Sequence, residues 1–292
     1  PFWVVVIFIY YILATLLPID KIIGNIYPIF AIAFTIMAVP VLGSLFYYGT
    51  NGTITLQELS LSNLYNMHAK PEINHLFPML FVVISCGAIS GFHCTQSPLM
   101  ARTIKNEKYG YPVFYGAMIC EGLVAMIWAT AAINFYHGVD GLNAQLQGGV
   151  TPAIMVNTIC TTWMGKVGAF FAIIGIVVCP ITSGDTAFRS ARLIIAEAFK
   201  VNQGPIMRRL YIAVPMFVLA IVMSQMKFTT IWNFVGISNQ MLSMFMLWTI
   251  AVYLKNNGKV HWIASIPAAF MTCVCVTYFM IAPLKLGGLG LP

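Results

Sequence analysis

Long apolar stretches alternate with short polar segments along the whole chain. A helix that crosses the hydrocarbon core of a bilayer needs about 20 mainly apolar residues. Eight stretches meet this requirement, at residues 1–18, 26–49, 76–101, 111–137, 164–195, 206–226, 229–254 and 260–284. The pattern therefore predicts an all-α, polytopic helical membrane protein with about eight transmembrane helices, organised as a single transmembrane domain over residues 1–292.

The composition agrees with this class and excludes others. Of the 292 residues, 60% are hydrophobic and 8% are charged, and the mean hydropathy is +0.86, whereas a soluble domain has about 25% charged residues. The net charge of +7 is spread through short loops without an aromatic-interleaved basic patch, so nucleic acid is not an expected partner. Seven cysteines without paired CxxC spacing argue against a disulfide framework or a metal site.

The distribution of basic residues between alternate loops predicts the orientation in the membrane. Eleven of the 15 Lys and Arg residues belong to one set of loops and four to the other. Cytoplasmic loops of membrane proteins carry the excess of positive charge. Segments 102–110, 196–205 and 255–259 are therefore expected on the cytoplasmic side of the membrane.

Two long loops, 50–75 and 138–163, are then expected on the external side. In the second loop, Thr151 at an N-cap position and Pro152 at the first helical position predict a short surface helix. The chain begins with Pro1 in an apolar run, without a methionine or a basic segment, so it does not resemble a signal peptide. We interpret the chain as a fragment whose upstream membrane helices are missing.

The apolar stretch 76–101 is interrupted by small and polar residues, which predict a broken helix. The N-terminus of a half-helix in a membrane offers free N–H groups and the positive end of a dipole, a suitable seat for a carboxylate. The candidate substrate-binding residues are Gly87, Ser90, Gly91, His93, Gln96 and Ser97. Gly91 would also let the backbone approach a ligand closely. The alternative is a glycine-lined packing notch in which His93 is a hydrogen-bonded core residue.

A second polar stretch follows the uncharged apolar run 167–178. Pro180 and Gly184 predict a break there, which would free backbone carbonyls and hydroxyls to bind a ligand. Ionisable groups at membrane depth cost at least about 2.5 kcal/mol each, so they face protein or water and mark pathways. The candidate residues for ion or proton coupling are Thr182, Ser183, Asp185, Thr186 and Arg189. The alternative is that Asp185 and Arg189 merely neutralise each other at i,i+4 spacing.

Three further polar residues lie inside predicted membrane helices. Glu121 has no basic residue within one turn, so it is either a protonated, hydrogen-bonded carboxyl in the bundle or a proton-relay group that contributes to coupling. Asn239 and Gln240 lie in the stretch 229–254. Amides in membrane helices commonly hold neighbouring helices together, and we expect these two to do so.

These motifs resemble the carbon starvation protein A family of membrane transporters. The resemblance rests on five runs in order along the chain: 86–93, 96–102, 113–119 with Glu121, 180–192 and 234–240. It implies an inner-membrane secondary transporter that takes up peptides or pyruvate-like small carboxylates during carbon starvation. It also implies no cofactor beyond a coupling proton or sodium ion.

The family is similar in turn to the amino acid–polyamine–cation superfamily, which has two inverted repeats of five helices. That similarity implies that 76–101 is the broken first helix of the second repeat and that 164–195 is its third helix. By analogy with the betaine carriers, Thr182 and Ser183 would be ion ligands. The acid at Asp185 departs from a simple sodium site and leaves proton coupling open. The resemblance covers only part of such a fold.

Three functions are compatible with the sequence. The first is alternating-access symport, in which a small carboxylate or peptide binds near the midplane and a cation shifts the conformational balance. The second is an uncoupled channel or a starvation sensor. The third is an intramembrane serine hydrolase, which would need a histidine facing Ser90, yet the other histidines lie in loops or at membrane edges. We therefore expect a transporter and not an enzyme.

Overall fold

The computed structural model describes residues 6, 8–12, 27–54, 56, 61, 65–226, 228–282 and 288–291. Regular secondary structure within these ranges is helical throughout. The main helices are α1 (Tyr27–Thr50), α2 (Leu76–Ala88), α3 (Gly91–Thr103), α4 (Ala117–Phe135), α5 (Val139–Gln147), α6 (Pro152–Ala198), α7 (Ile206–Ser224), α8 (Phe228–Asn256) and α9 (Trp262–Ile281). A 3₁₀ turn at Glu107–Tyr109 and a π-helical turn at Tyr111–Gly116 lead into α4.

Six helical segments among the described residues are long and apolar enough to cross a membrane: Ala31–Thr50, Glu107–Phe135, Pro152–Ala198, Ile206–Ser224, Thr230–Asn256 and Trp262–Ile281. The chain is thus a polytopic helical membrane protein, as the hydrophobic pattern predicts. The expected number of eight is not reached, for two reasons. The stretch 76–101 divides into two short helices, and most of 1–18 lies outside the described residues.

The first of two compact units comprises Pro1–Ala69 and Ile119–Ala213. Its apolar core lies where α1 packs against α6, and it includes Met37, Val41 and Ala172. The two helices approach closely at Gly175, where a Cβ atom would collide with the Met37 side chain. A small residue on one helix therefore accommodates a large residue on the other, as is usual where membrane helices pack.

A kink at Gly165 divides α6 into a short first part and a long second part. Gly165 has φ +62° and ψ −148°, which a residue with a side chain rarely adopts. Thr151 has extended backbone at the N-cap, and Pro152 begins the helix. A short helix followed by a membrane-spanning helix is what the sequence predicts here. The nine-residue helix α5, within the same predicted loop, was not expected.

The predicted break at Pro180 and Gly184 is wrong. The backbone stays helical from the kink at Gly165 to Ala198. A proline inside a helix removes one backbone hydrogen bond and crowds the carbonyl four residues earlier, and membrane helices tolerate this where neighbouring groups compensate for it. Gly184 serves packing instead, because a Cβ atom there would collide with the Tyr11 hydroxyl.

The second unit comprises Lys70–Met118 and Val214–Pro292. Helix α8 packs along α9 and also contacts both α2 and α3. The core of this second unit is formed by apolar side chains, namely those of Val82, Ile237, Met271, Val274 and Tyr278. The break between α2 and α3 lies at Ile89 and Ser90, so the predicted interruption of the stretch 76–101 is confirmed.

Candidate functional site

The break between α2 and α3 is closed by side chains of the protein. Ser90 has extended backbone, and its hydroxyl accepts a hydrogen bond from the Phe92 N–H at 3.2 Å. The side-chain oxygen of Asn239, on α8, accepts from the same N–H at 2.8 Å. The Asn239 NH₂ group also donates to the Ser90 hydroxyl at 3.1 Å. Internal acceptors thus cap an N–H group at the start of α3, the type of group expected to receive a carboxylate.

The adjacent residue of α8 reaches the other side of the same break. Gln240 is fully buried, and its side-chain NH₂ donates to the backbone carbonyl of Val82 on α2 at 3.0 Å. Ser243 donates back to the Gln240 carbonyl at 2.7 Å. Asn239 and Gln240 therefore bind the two half-helices to one neighbour, the geometry that a helix-holding role requires.

Gly91 is surrounded by α8. A Cβ atom at this position would collide with the Asn239 carbonyl oxygen and would lie 2.8 Å from the Cβ of Leu242. The sequence predicts that the missing side chain admits a ligand, whereas the structure places the backbone of a neighbouring helix there. The sequence does not distinguish these two kinds of close approach, because both require glycine.

The remaining predicted substrate-binding residues lie on either side of the break. His93, Gln96 and Ser97 are half-buried on α3, and their i, i+3 and i+4 spacing places them on one face. Gln96 donates to Thr95 at 3.1 Å. Gly87 lies on α2, and among the described residues no atom beyond its own helical turn lies within 4 Å of the position that a Cβ would occupy. Contact between these residues and a substrate stays a prediction.

In the first unit, Asp185 and Arg189 form a buried ion pair. Nη2 of Arg189 lies 3.0 Å from Oδ1 and 3.3 Å from Oδ2 of Asp185. The side chains are 3% and 2% exposed for the arginine and the aspartate. The structure therefore shows the i,i+4 pairing that the sequence allows. A buried pair is costly to desolvate and is weak evidence for a purely stabilising role.

The hydroxyl residues beside this ion pair have different surroundings. Thr186 donates to the carbonyls of Thr182 and Ser183, each at 3.0 Å. Ser183 is exposed and Thr182 is half-buried. Because the helix is continuous here, the carbonyls expected to become free for an ion remain within a helical backbone.

The helical segment 8–12 packs against α6 near the ion pair. The sequence did not predict this contact. The Tyr11 ring lies 5.2 Å from the Phe188 ring, between centroids. The hydroxyl of Tyr10 is buried, and the charges of Asp185 and Arg189 act on it. Two adjacent tyrosines inside an apolar stretch were the available signal, since buried tyrosine hydroxyls need polar surroundings.

Arg192 lies near the end of α6, three residues beyond Arg189. It is 5% exposed, and its Nη1 donates to the side-chain oxygen of Gln203 at 3.0 Å. Arg209 holds the same loop through a 2.7 Å hydrogen bond from Nε to the Gln203 carbonyl. Glu121 lies on α4 with its side chain exposed in the described structure, and its role stays a prediction.

The sequence matches the family described as carbon starvation protein CstA over residues 1–151 and 140–278. The chain belongs to this family. No solved structure matches the chain.

The relatives include proteins named as transporters. The chain is 26% identical to the peptide transporter CstA of Bacillus subtilis, over 67% of this chain and 40% of that protein. It is 43% identical to the pyruvate/proton symporter BtsT of Escherichia coli, over 20% of this chain and 8% of that protein. An uncharacterized membrane protein of Haemophilus influenzae is 40% identical, over 50% of this chain and 42% of that protein. The chain thus spans less than half the length of these three relatives.

Proposed function

We propose that the chain is part of a secondary active transporter in the plasma membrane, the inner membrane of a bacterium. Its substrate is a peptide or a pyruvate-like small carboxylate, and uptake is coupled to a cation by alternating access. The names of the relatives support the transport of such solutes. The observation that carries the coupling is a buried acid–arginine pair in a helix long enough to span the membrane.

The ion pair supports an exchange of partners during transport. A substrate carboxylate that reaches Arg189 would displace Asp185, and the released carboxylate would then be buried without its hydrogen bonds to Arg189. Desolvation disfavours its charged form, so Asp185 would take up a proton. The site is neutral when Arg189 is paired with ionised Asp185, and it is neutral again when Arg189 is paired with the substrate carboxylate and Asp185 is protonated. The binding of each carboxylate would therefore be accompanied by the uptake of one proton.

The surroundings of the pair favour a proton over sodium as the coupling ion. A sodium site needs several oxygen ligands directed at one point, and the sequence offers Thr182, Ser183 and Thr186. The Thr186 hydroxyl hydrogen-bonds to its own helix, which is continuous there. The carboxyl of Asp185 can take up a proton without rearranging this backbone. Replacement of sodium in the assay buffer should therefore leave uptake unchanged.

The substrate-binding face would be formed by His93, Gln96 and Ser97 of α3, with Gly87 contributing from the α2 side of the break. These residues supply hydrogen-bonding groups beside the helix break. Ser90 and Gly91 would act indirectly, by holding the two half-helices in place against α8.

Transport by the full-length parent protein in membrane vesicles tests the proposal. Asp185→Asn imitates the protonated acid, so this variant should exchange labelled pyruvate or dipeptide across the membrane but should not accumulate it against a gradient. Retained exchange also shows that the variant is folded. Glu197→Gln, which changes an exposed acid on the same helix, is the matched control and should accumulate substrate normally.

Two results would contradict the proposal. Accumulation by Asp185→Asn at the level of the unmodified protein would leave the ion pair with a structural role only. Uptake by the unmodified protein that reaches only equilibrium, and that an uncoupler does not change, would indicate a channel.

A further inference from the structure

Arg192 and Gln203 form a polar cluster that the coupling mechanism does not use. Arg192 lies on α6, three residues beyond Arg189, and Gln203 lies in the loop between α6 and α7. Arg192 is 95% buried, given its 5% exposure. Arg209 fixes the loop from the other side, with hydrogen bonds to the carbonyls of Gln203 at 2.7 Å and of Gly204 at 3.3 Å.

The hydrogen bond between the two side chains determines which way the amide faces. Arginine can only donate, so Gln203 must direct its oxygen at Arg192 and its NH₂ group elsewhere. That NH₂ nitrogen and the Nε of Arg192 are both buried, and neither has a hydrogen-bond partner within the described part of the chain. Buried donors are normally paired, because an unpaired one costs about 1–3 kcal/mol. Two buried, unpaired donors on side chains that are hydrogen-bonded to each other therefore indicate a binding site for a ligand with acceptor atoms.

The charges around the cluster favour an anionic ligand. The charged groups that act on Arg192 are Arg189, Arg209 and Asp185. Asp185 is hydrogen-bonded to Arg189, and among the described residues no carboxylate forms an ion pair with Arg192. Three arginines and one acid leave an excess of two positive charges. An uncharged acceptor would satisfy the donors but would leave this excess uncompensated.

We propose that Arg192 and Gln203 form an oxyanion-binding site at the end of α6. A carboxylate or phosphate group would accept hydrogen bonds from Nε of Arg192 and from the NH₂ group of Gln203. The planar guanidinium matches the geometry of both groups and binds them through paired donors. The loop is expected at the cytoplasmic side, where such a group can come from a free anion or from the headgroup of an anionic lipid. The proposal does not depend on the transport mechanism.

The full-length parent protein in lipid nanodiscs, with ¹⁵N-labelled arginine, tests this site. The Nε resonance of Arg192 is assigned by its loss in Arg192→Lys. One arm titrates inorganic phosphate and acetate into phosphatidylcholine nanodiscs. The other arm replaces part of the phosphatidylcholine with phosphatidylglycerol and adds no free anion. A shift in the first arm identifies a free anion as a source, and a shift in the second identifies a lipid phosphate. Absence of a shift in both arms overturns the proposal.

Two variants at Gln203 separate a binding site from a structural contact. Gln203→Leu removes one of the donors and should weaken anion binding about tenfold, the typical effect of a hydrogen bond to a charged group. Gln203→Glu supplies an internal carboxylate, which should occupy Arg192 and abolish the response while keeping the size of the side chain. Arg208→Gln, an exposed arginine near the loop, is the control and should bind as the unmodified protein does. Unchanged affinity in both Gln203 variants would overturn the site.

Discussion

Polar residues around Ser90 and Asp185 both interrupt an apolar stretch of sequence, but the backbone is broken at only one of them. At Ser90 the helix ends and a new one begins, and α8 supplies the side chains that bind both halves. At Asp185 the helix continues, and the charge is paired by Arg189 one turn away. Backbone groups freed by a break need partners from another helix, whereas an acid on an intact helix can find its partner on the same helix.

This difference explains which residues are small. Gly91 is required because a neighbouring helix must come close enough to supply hydrogen bonds to the break. Gly184 leaves room for the Tyr11 hydroxyl, which packs against an unbroken helix at that point. Both glycines therefore mark places where another part of the chain comes close to a helix. Only next to Gly91 is the helix also broken.

The largest expected effect concerns the buried charge. Arg189→Ala leaves Asp185 buried without its counterion, and breaking a buried ion pair in this way costs about 3–5 kcal/mol. Denaturant unfolding of the protein in detergent measures this loss. The double variant Asp185→Leu with Arg189→Met removes both charges and should recover most of it. A single-variant loss below about 1 kcal/mol, as for exposed pairs, would mean that water reaches the ion pair.

The next effect tests the close approach at the helix break. Gly91→Ala introduces a Cβ atom against the Asn239 carbonyl and Leu242, and overpacking of this kind costs about 1–3 kcal/mol. The same unfolding measurement applies. Gly87→Ala is the matched control, because its new Cβ meets open space and alanine is the better helix former by about 0.5–1 kcal/mol. Equal losses in the two variants would show that α8 does not limit the space at Gly91.

A smaller effect is expected when α3 loses the hydrogen-bond acceptor that α8 supplies at its N-terminus. Asn239→Ala deletes the acceptor that lies 2.8 Å from the Phe92 N–H, and loss of an N-cap costs about 1 kcal/mol. Hydrogen exchange at Phe92 should accelerate at the same time. Asn257→Ala changes an exposed amide that bonds within its own turn, and it should alter neither quantity at the break. Unchanged exchange in Asn239→Ala would mean that Ser90 alone supplies the cap.

The smallest effect is expected on the unbroken helix. Thr186→Val removes a hydroxyl that donates only to carbonyls of its own helix, so the unfolding free energy should change by no more than about 0.5 kcal/mol. Circular dichroism should show unchanged helix content. A loss as large as that of Asn239→Ala would indicate that the backbone near Thr186 depends on side-chain partners, as it does at the break.

The hydrophobic pattern was sufficient to predict the class of the protein and most of its membrane helices. It also predicted the interruption near Ser90, because glycines, a proline and hydrogen-bonding side chains are concentrated there. It failed at Pro180, where the same types of residue lie in a continuous helix. It also did not predict that Tyr11 packs against Phe188 or that Tyr10 lies within the influence of Asp185, since both interactions join residues far apart in the chain.

Local residue patterns were enough to establish apolar helices of membrane length and the i,i+4 spacing of Asp185 and Arg189, because both follow from the repeat of a single helix. Tertiary packing determined whether a helix breaks, and which group satisfies the backbone where it does. Asn239 could be recognised as an amide inside a membrane helix, but its acceptor role at Phe92 exists only because α8 lies against α3. Hydrogen bonds between helices depend on how far apart the helices lie, and the order of residues along one helix does not determine that distance.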